Sequence, residues 1–209
     1  AVSTGQVGEA IDLLRSHAPC PEVMSLDPTR LEDVLADILH VGERVGRAAC
    51  AAELVDSLRD RLNVVELSTR GRPRPTVVAL EWLDPPYVGG HWIPEMISIA
   101  GGEDVAGPPG LKSPEVSWQE LSGLNPDVAV AMPCGLYVEE SSAQTLAHWD
   151  RIEMLGARRV FAVDAASTFS RPGPRLIDGV ELLGHLLHPD LVDAPGSVGF
   201  FELHSPDGR

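Results

Sequence analysis

The chain has 209 residues, 44% of them hydrophobic and 22% charged, a balance that suits a soluble globular fold with a sizeable core. Its formal net charge of −15 argues against nucleic acid as a partner, because phosphate binding needs a basic surface. No run of about 18 apolar residues occurs, so no segment reads as a membrane-spanning helix.

Residues 6–16 read as a first helix, with Val7, Ala10, Ile11 and Leu14 on one face. The chain thus opens almost directly on a helix, as a processed or truncated product would. A short strand is expected at 22–26, then a turn and amino cap at Asp27-Pro28-Thr29. Leu31, Val34, Leu35, Ile38, Leu39 and Val41 repeat at helical spacing, with Glu32 and Asp33 in the favoured first turn. A long helix follows over 48–67, its apolar face formed by Ala51, Leu54, Val55, Leu58, Leu62 and Val65.

The segment 68–75 (STRGRPRP) carries the tightest basic cluster, Arg70, Arg72 and Arg74, and its Pro and Gly make it a solvated turn. Beyond it, apolar runs at 76–80, 127–131 and 159–163 alternate with helical patterns at 93–100, 139–156 and 174–187. That alternation predicts an α/β three-layer lobe with a mainly parallel sheet. From Leu191 onward the chain reads as a loose tail.

Three of the ten Trp, Tyr and Phe residues, Trp82, Tyr87 and Trp92, fall within residues 81–92, beside Glu81, Asp84 and His91. The segment lies between a buried strand and a helix amino end, where open α/β sheets bind ligands. Pro85 and Pro86 stiffen it, and Gly89 and Gly90 permit close approach of a ligand to the backbone. Ser167, Phe169 and Arg171 follow the strand at 159–163 in the same way, and Pro133-Cys134-Gly135 completes the rim. Arg171 suits an amide, phosphate or carboxylate.

Cys20, Cys50 and Cys134 match no metal-binding or CxxC spacing, which leaves both one disulfide and three thiols open. His185 and His188 are expected at the surface. No GxxxxGK[ST], GxGxxG, GxSxG or HExxH motif is present. No acid–base pair is recognisable, so binding without catalysis, and without a metal or cofactor, is the expectation. The rival reading is a small metal-dependent hydrolase or chelatase using His91 with Glu81 or Asp84.

Residues 76–189 resemble the carboxyl-terminal lobe of cobalamin-type substrate-binding proteins of ABC importers. The resemblance rests on ALEWLDPPYVGGHWIPEMISIAGG, VSWQELSGLNPDVAVAMPCG and FSRPGPRLIDGVELLGHLLHP. It implies two α/β lobes joined by one rigid helix, with a corrinoid held between them. On that pattern residues 1–47 are the remnant of a truncated first lobe, 48–70 the connecting helix, 76–190 the binding lobe and 191–209 the tail. It also implies cobalamin or a related corrinoid as the ligand, with a siderophore or haem as the alternative. Glu81, Trp82, Tyr87, His91, Trp92, Ser167, Phe169 and Arg171 would contact it. An ABC permease would dock at Glu120, and the location would be extracytoplasmic.

Overall fold

A computed structural model describes residues 8–12, 23–196 and 198–206. Residues 8–12 are helical, and the rest of the helix expected at 6–16 lies outside the described residues. Residues 23–29 carry no regular structure, so the strand expected at 22–26 is not formed over its described part.

Helix α1 spans Leu31–Arg44 and α2 spans Ala48–Thr69. The start of α1 is fixed by Asp33, whose Oδ2 accepts from Thr29 N (3.0 Å), Thr29 Oγ1 (3.2 Å) and Arg30 N (2.9 Å). These bonds hold the Asp33 carboxyl below its ordinary range, chiefly through the Thr29 and Arg30 backbone. The two helices meet tightly at Gly42, where a Cβ would stand 2.3 Å from that of Ala51. The buried face of α2 is Ala51, Val55, Leu58, Val65 and Thr69; Leu54, expected on that face, is 40% exposed.

The sheet runs in the order β2-β1-β4-β5-β6. Its strands are β1 (Thr76–Leu83), β2 (Pro86–Val88), β4 (Val128–Ala131), β5 (Arg159–Val163) and β6 (Phe200–Leu203). A two-residue strand β3 (Glu103–Asp104) pairs parallel with the start of β1. The β1–β4 and β4–β5 pairs are parallel, while the β1–β2 and β5–β6 pairs at the two edges are antiparallel. The sheet is therefore mostly parallel in its centre, as the alternating pattern predicts.

Two sequence expectations change here. The segment 81–88 is a β-hairpin rather than a loop, with Trp82 opposite Tyr87 and Leu83 opposite Pro86. The tail is not loose at 200–203: those residues extend the sheet beside β5, with Val160 opposite Leu203. The apolar FFEL run finds its partner only through the fold.

Alternate residues of each strand point to opposite faces. Val77, Ala79, Val130, Phe161 and Val163 pack with α1, α2, α3 (Ile93–Ile99) and α8 (Leu176–Leu187). Val78, Leu80, Ala129 and Ala162 pack on the other face with Trp118, Leu121, Ile152 and Leu155. The latter come from α4 (Trp118–Leu121), α6 (Trp149–Ile152) and the 3₁₀ turn Glu153–Leu155. Three layers result. Leu31, Val34, Leu35, Val55 and Leu58 belong to the same buried cluster as the first sheet face.

The helix expected over 139–156 is broken: α5 (Val138–Ala147) ends at His148 before α6 begins. A short helix α7 (Ala165–Thr168) follows β5, with Asp164 Oδ1 accepting from Ser167 N at 3.0 Å as its cap. His185 and His188 are half-buried rather than exposed, their rings bonded to Val192 O (2.9 Å) and Gly101 O (3.2 Å).

Candidate functional site

Three parallel strands deliver their carboxyl ends to one place. Glu81 comes from the end of β1, Met132 and Cys134 from just beyond β4, and Phe169 and Ser170 from the segment after β5 and α7. His91 and Trp92 stand at the amino end of α3. Together these seven residues line a hollow of about 150 Å³.

Local sequence explains how each side chain is aimed. The β1–β2 register shifts between Leu80 and Trp82, so Glu81 is the extra residue of a β-bulge. A bulge of this kind re-aims a side chain that regular alternation would fix. Next, Gly89-Gly90 brings the chain out of β2. A Cβ on Gly90 would stand 2.5 Å from Leu111 O and Ser113 N, so only glycine lets the 111–113 segment pass. His91 follows with φ of 48°, a left-handed conformation uncommon outside glycine. Its amide donates to Leu111 O and its carbonyl accepts from Gly110 N at 2.9 Å. The two rings then stand 5.7 Å apart.

Trp92 is buried, and its Nε1 donates to Phe169 O at 3.0 Å. Phe169 is buried as well, so one bond joins the α3 end of the hollow to the segment after α7. Ser170 Oγ accepts from Gly135 N at 3.0 Å and ties that segment to the rim beyond β4. The Ser113 hydroxyl donates to Glu81 Oε2 and itself accepts from Gly90 N at 3.2 Å. Burial nevertheless pushes the Glu81 carboxyl above its ordinary range, with the Ser113 bond and the nearby His91 working against that rise.

Glu81, His91, Trp92 and Phe169 are therefore gathered as the sequence predicts. Trp82, Tyr87, Ser167 and Arg171 lie outside the lining. Trp82 bonds its own hairpin, Nε1 donating to Asp84 O at 3.2 Å. The Tyr87 hydroxyl donates to Glu115 Oε2 at 2.8 Å, and that carboxylate raises the phenol pKa. Ser167 is engaged at the α7 cap, and Arg171 is exposed.

Met132 and Ser113 are a member and a support that sequence reasoning missed, whereas Ser170 lies in the loop that it marked beside Arg171. Met132 directly follows β4, so the strand-end rule would have found it; nothing local marks Ser113. Cys50 and Cys134 are free and exposed, and Cys20 lies outside the described residues. Among the described residues no cluster of three His, Cys, Asp or Glu could hold a metal ion.

Glu120 is exposed on α4, where its Oε2 accepts from Ser117 N (2.7 Å) and Ser117 Oγ (2.8 Å) as half of a capping box. Those bonds hold its carboxyl below the ordinary range.

Residues 1–161 match the family described as periplasmic binding protein. The chain belongs to that family. Among relatives, the chain is similar to the ABC transporter substrate-binding lipoprotein YvrC of Bacillus subtilis (strain 168), 26% identical over 175 residues. That alignment covers 78% of this chain and 52% of the relative, so the chain spans about half the relative's length. A periplasmic heme binding protein from Pseudomonas aeruginosa shares the fold with a TM-score of 0.69 and 20% identity, over 98% of this chain and 72% of that one. The periplasmic vitamin B12 binding protein BtuF of Vibrio cholerae does so with a TM-score of 0.62 and 18% identity, over 87% and 69%. At such identities these two establish the periplasmic binding protein fold and no more. No helix among the described residues is long and apolar enough to cross a membrane.

Proposed function

We propose that this chain acts as the substrate-binding component of an ABC importer, outside the cytoplasm, and that it binds cobalamin or a related corrinoid without turning it over. The observation that carries the proposal is the hollow at the tips of β1, β4 and β5. Aromatic and thioether side chains of Trp92, Phe169 and Met132 meet one carboxylate and one imidazole there. Apolar walls with a few placed polar groups are the composition of a small-molecule site.

A hollow of about 150 Å³ takes only one edge of so large a ligand. On this reading Trp82, Tyr87 and Arg171, on the hairpin and on the loop after α7, would contact the parts that remain outside. Glu120, exposed at the start of α4, is the candidate contact for a permease. Membership in the periplasmic binding protein family supports the transport role, and the B12-binding protein of the same fold supports the ligand.

A second reading is haem or a siderophore. It is favoured by the heme-binding protein from Pseudomonas aeruginosa, which shares the fold over nearly all of this chain. Visible absorbance of the purified protein separates the two readings, because corrinoid and haem bands differ. Calorimetric titration of cyanocobalamin tests the first directly: saturable binding supports it, and the absence of binding beside saturable haem binding replaces it with the second.

A further inference from the structure

Glu81 places a charge among walls that are otherwise mostly apolar. Its fixed partner, the Ser113 hydroxyl, is a donor. A neutral glutamine oxygen would accept from it as well. Tying the 111–113 segment to β1 therefore does not require a carboxylate, yet the carboxylate is kept where burial penalises its charge. The groups facing it are few. His91 comes from the turn before α3 and Cys134 from beyond β4, while the segment after α7 contributes only Phe169 and Ser170.

An ionised carboxylate only accepts hydrogen bonds. Against an N–H it forms a charge-assisted bond, roughly twice as strong as a neutral one. Against a second carboxylate it meets a like charge at a half-buried position, where screening is weaker than in open solvent. Resting on the binding reading above, we infer that Glu81 makes the hollow select ligands whose inserted edge presents N–H donors, such as the carboxamide rim of a corrinoid. It rejects edges that present carboxylates, such as the propionates of haem. Glu81 is in this sense a specificity-determining residue that touches the ligand.

The size of the hollow makes a direct test available. A cavity of about 150 Å³ accommodates a benzene-sized ring. Benzamide and benzoate share that ring and nearly the same shape, and differ in carrying a donor or a charge. Each is titrated at neutral pH into the 15N-labelled full chain, following the indole N–H resonance of Trp92, assigned by its loss in Trp92→Phe. Benzamide is expected to bind at least about tenfold more tightly than benzoate. In Glu81→Gln, which keeps the acceptor for Ser113, the two affinities are expected to converge. A merely structural Glu81 would leave the ratio unchanged.

Equal affinities in the wild type, a ratio unaltered in Glu81→Gln, or no response to either probe overturns the inference. A parallel titration with cyanocobalamin and haemin separates it from the reading beneath it. If benzamide is preferred through Glu81 but cyanocobalamin does not bind, donor selection stands and the corrinoid assignment falls. If cyanocobalamin binds while the small probes are not distinguished, the assignment stands and donor selection falls.

Discussion

The indole Nε1 of Trp92 donates to the backbone carbonyl of Phe169 across 3.0 Å, between residues 77 positions apart in the chain. Both side chains are buried, so the bond forms where water does not compete. It joins the amino end of α3 to the segment after α7, the two sides of the hollow.

Replacing Trp92 with Phe keeps an aromatic ring and removes the donor. The Phe169 carbonyl then loses its buried partner, at an expected cost of about 1–2 kcal/mol. Urea denaturation of Trp92→Phe should show a lower midpoint with an unchanged slope. An unchanged midpoint would mean that the bond adds nothing.

Asp104 gives a pH-dependent prediction. Its Oδ1 accepts from Ala106 N (2.9 Å) and Gly107 N (2.7 Å), while its Oδ2 is buried without a partner. Burial raises its pKa, against the lowering effect of those two backbone bonds. Between the ordinary carboxylate value and the raised one, the native state binds more protons than the unfolded state. Stability therefore falls as pH rises through that window. Asp104→Asn retains the acceptor and removes the charge. It is expected to stabilise the fold by about 1 kcal/mol at neutral pH and by progressively less toward acid. Denaturation curves across the pH range check this, and a destabilised variant at neutral pH contradicts it.

Asp127 behaves in the opposite sense. Its Oδ2 accepts from Thr76 N (2.9 Å) and Thr76 Oγ1 (3.1 Å), and its own N–H donates to Thr76 Oγ1 (2.9 Å). This reciprocal clasp sits where β1 and β4 begin their pairing. The Thr76 backbone bond holds the carboxyl below its ordinary range, so its contribution is present above that range and is lost as pH falls through the depressed value. Asp127→Ala is expected to cost about 1 kcal/mol at neutral pH and to flatten the acid limb of the stability curve. Equal acid sensitivity in both proteins would exclude this role.

Arg61 links α2 to α8. Its Nε donates to Glu181 Oε1 (2.8 Å), and its Nη2 to Glu181 Oε2 (2.6 Å) and Asp178 Oδ1 (2.5 Å). The Glu181 bond leads in raising its pKa further, so the guanidinium is charged at every accessible pH. All three groups are partly exposed, and screening limits the gain. Arg61→Leu is expected to cost about 1 kcal/mol at low salt and less at high salt. A loss independent of salt would point to packing of the arginine stem instead.

Much of the layered fold was legible because buried strands write themselves as apolar runs: Arg159–Val163 was read without error. The hairpin was missed because Asp84-Pro85-Pro86 reads as a turn, and Pro86 brings no donor to the ladder. The edge strand at 200–203 depends on β5, a partner invisible to local pattern. The site shows the same division. Position at a strand end or helix start located Glu81, His91, Trp92 and Phe169. It could not say that Tyr87 turns to Glu115, or that Ser113 reaches back to Glu81, because those contacts cross 28 and 32 positions of chain.

The central claim is that the strand-tip hollow holds one edge of a corrinoid. Calorimetric titration of cyanocobalamin into the wild-type chain and into Trp92→Ala, each first shown to be folded by circular dichroism, tests it most directly. Saturable binding that weakens by about 1–3 kcal/mol in the variant is the expected result. Equal affinity in the two proteins, or no binding to the wild type, would contradict it.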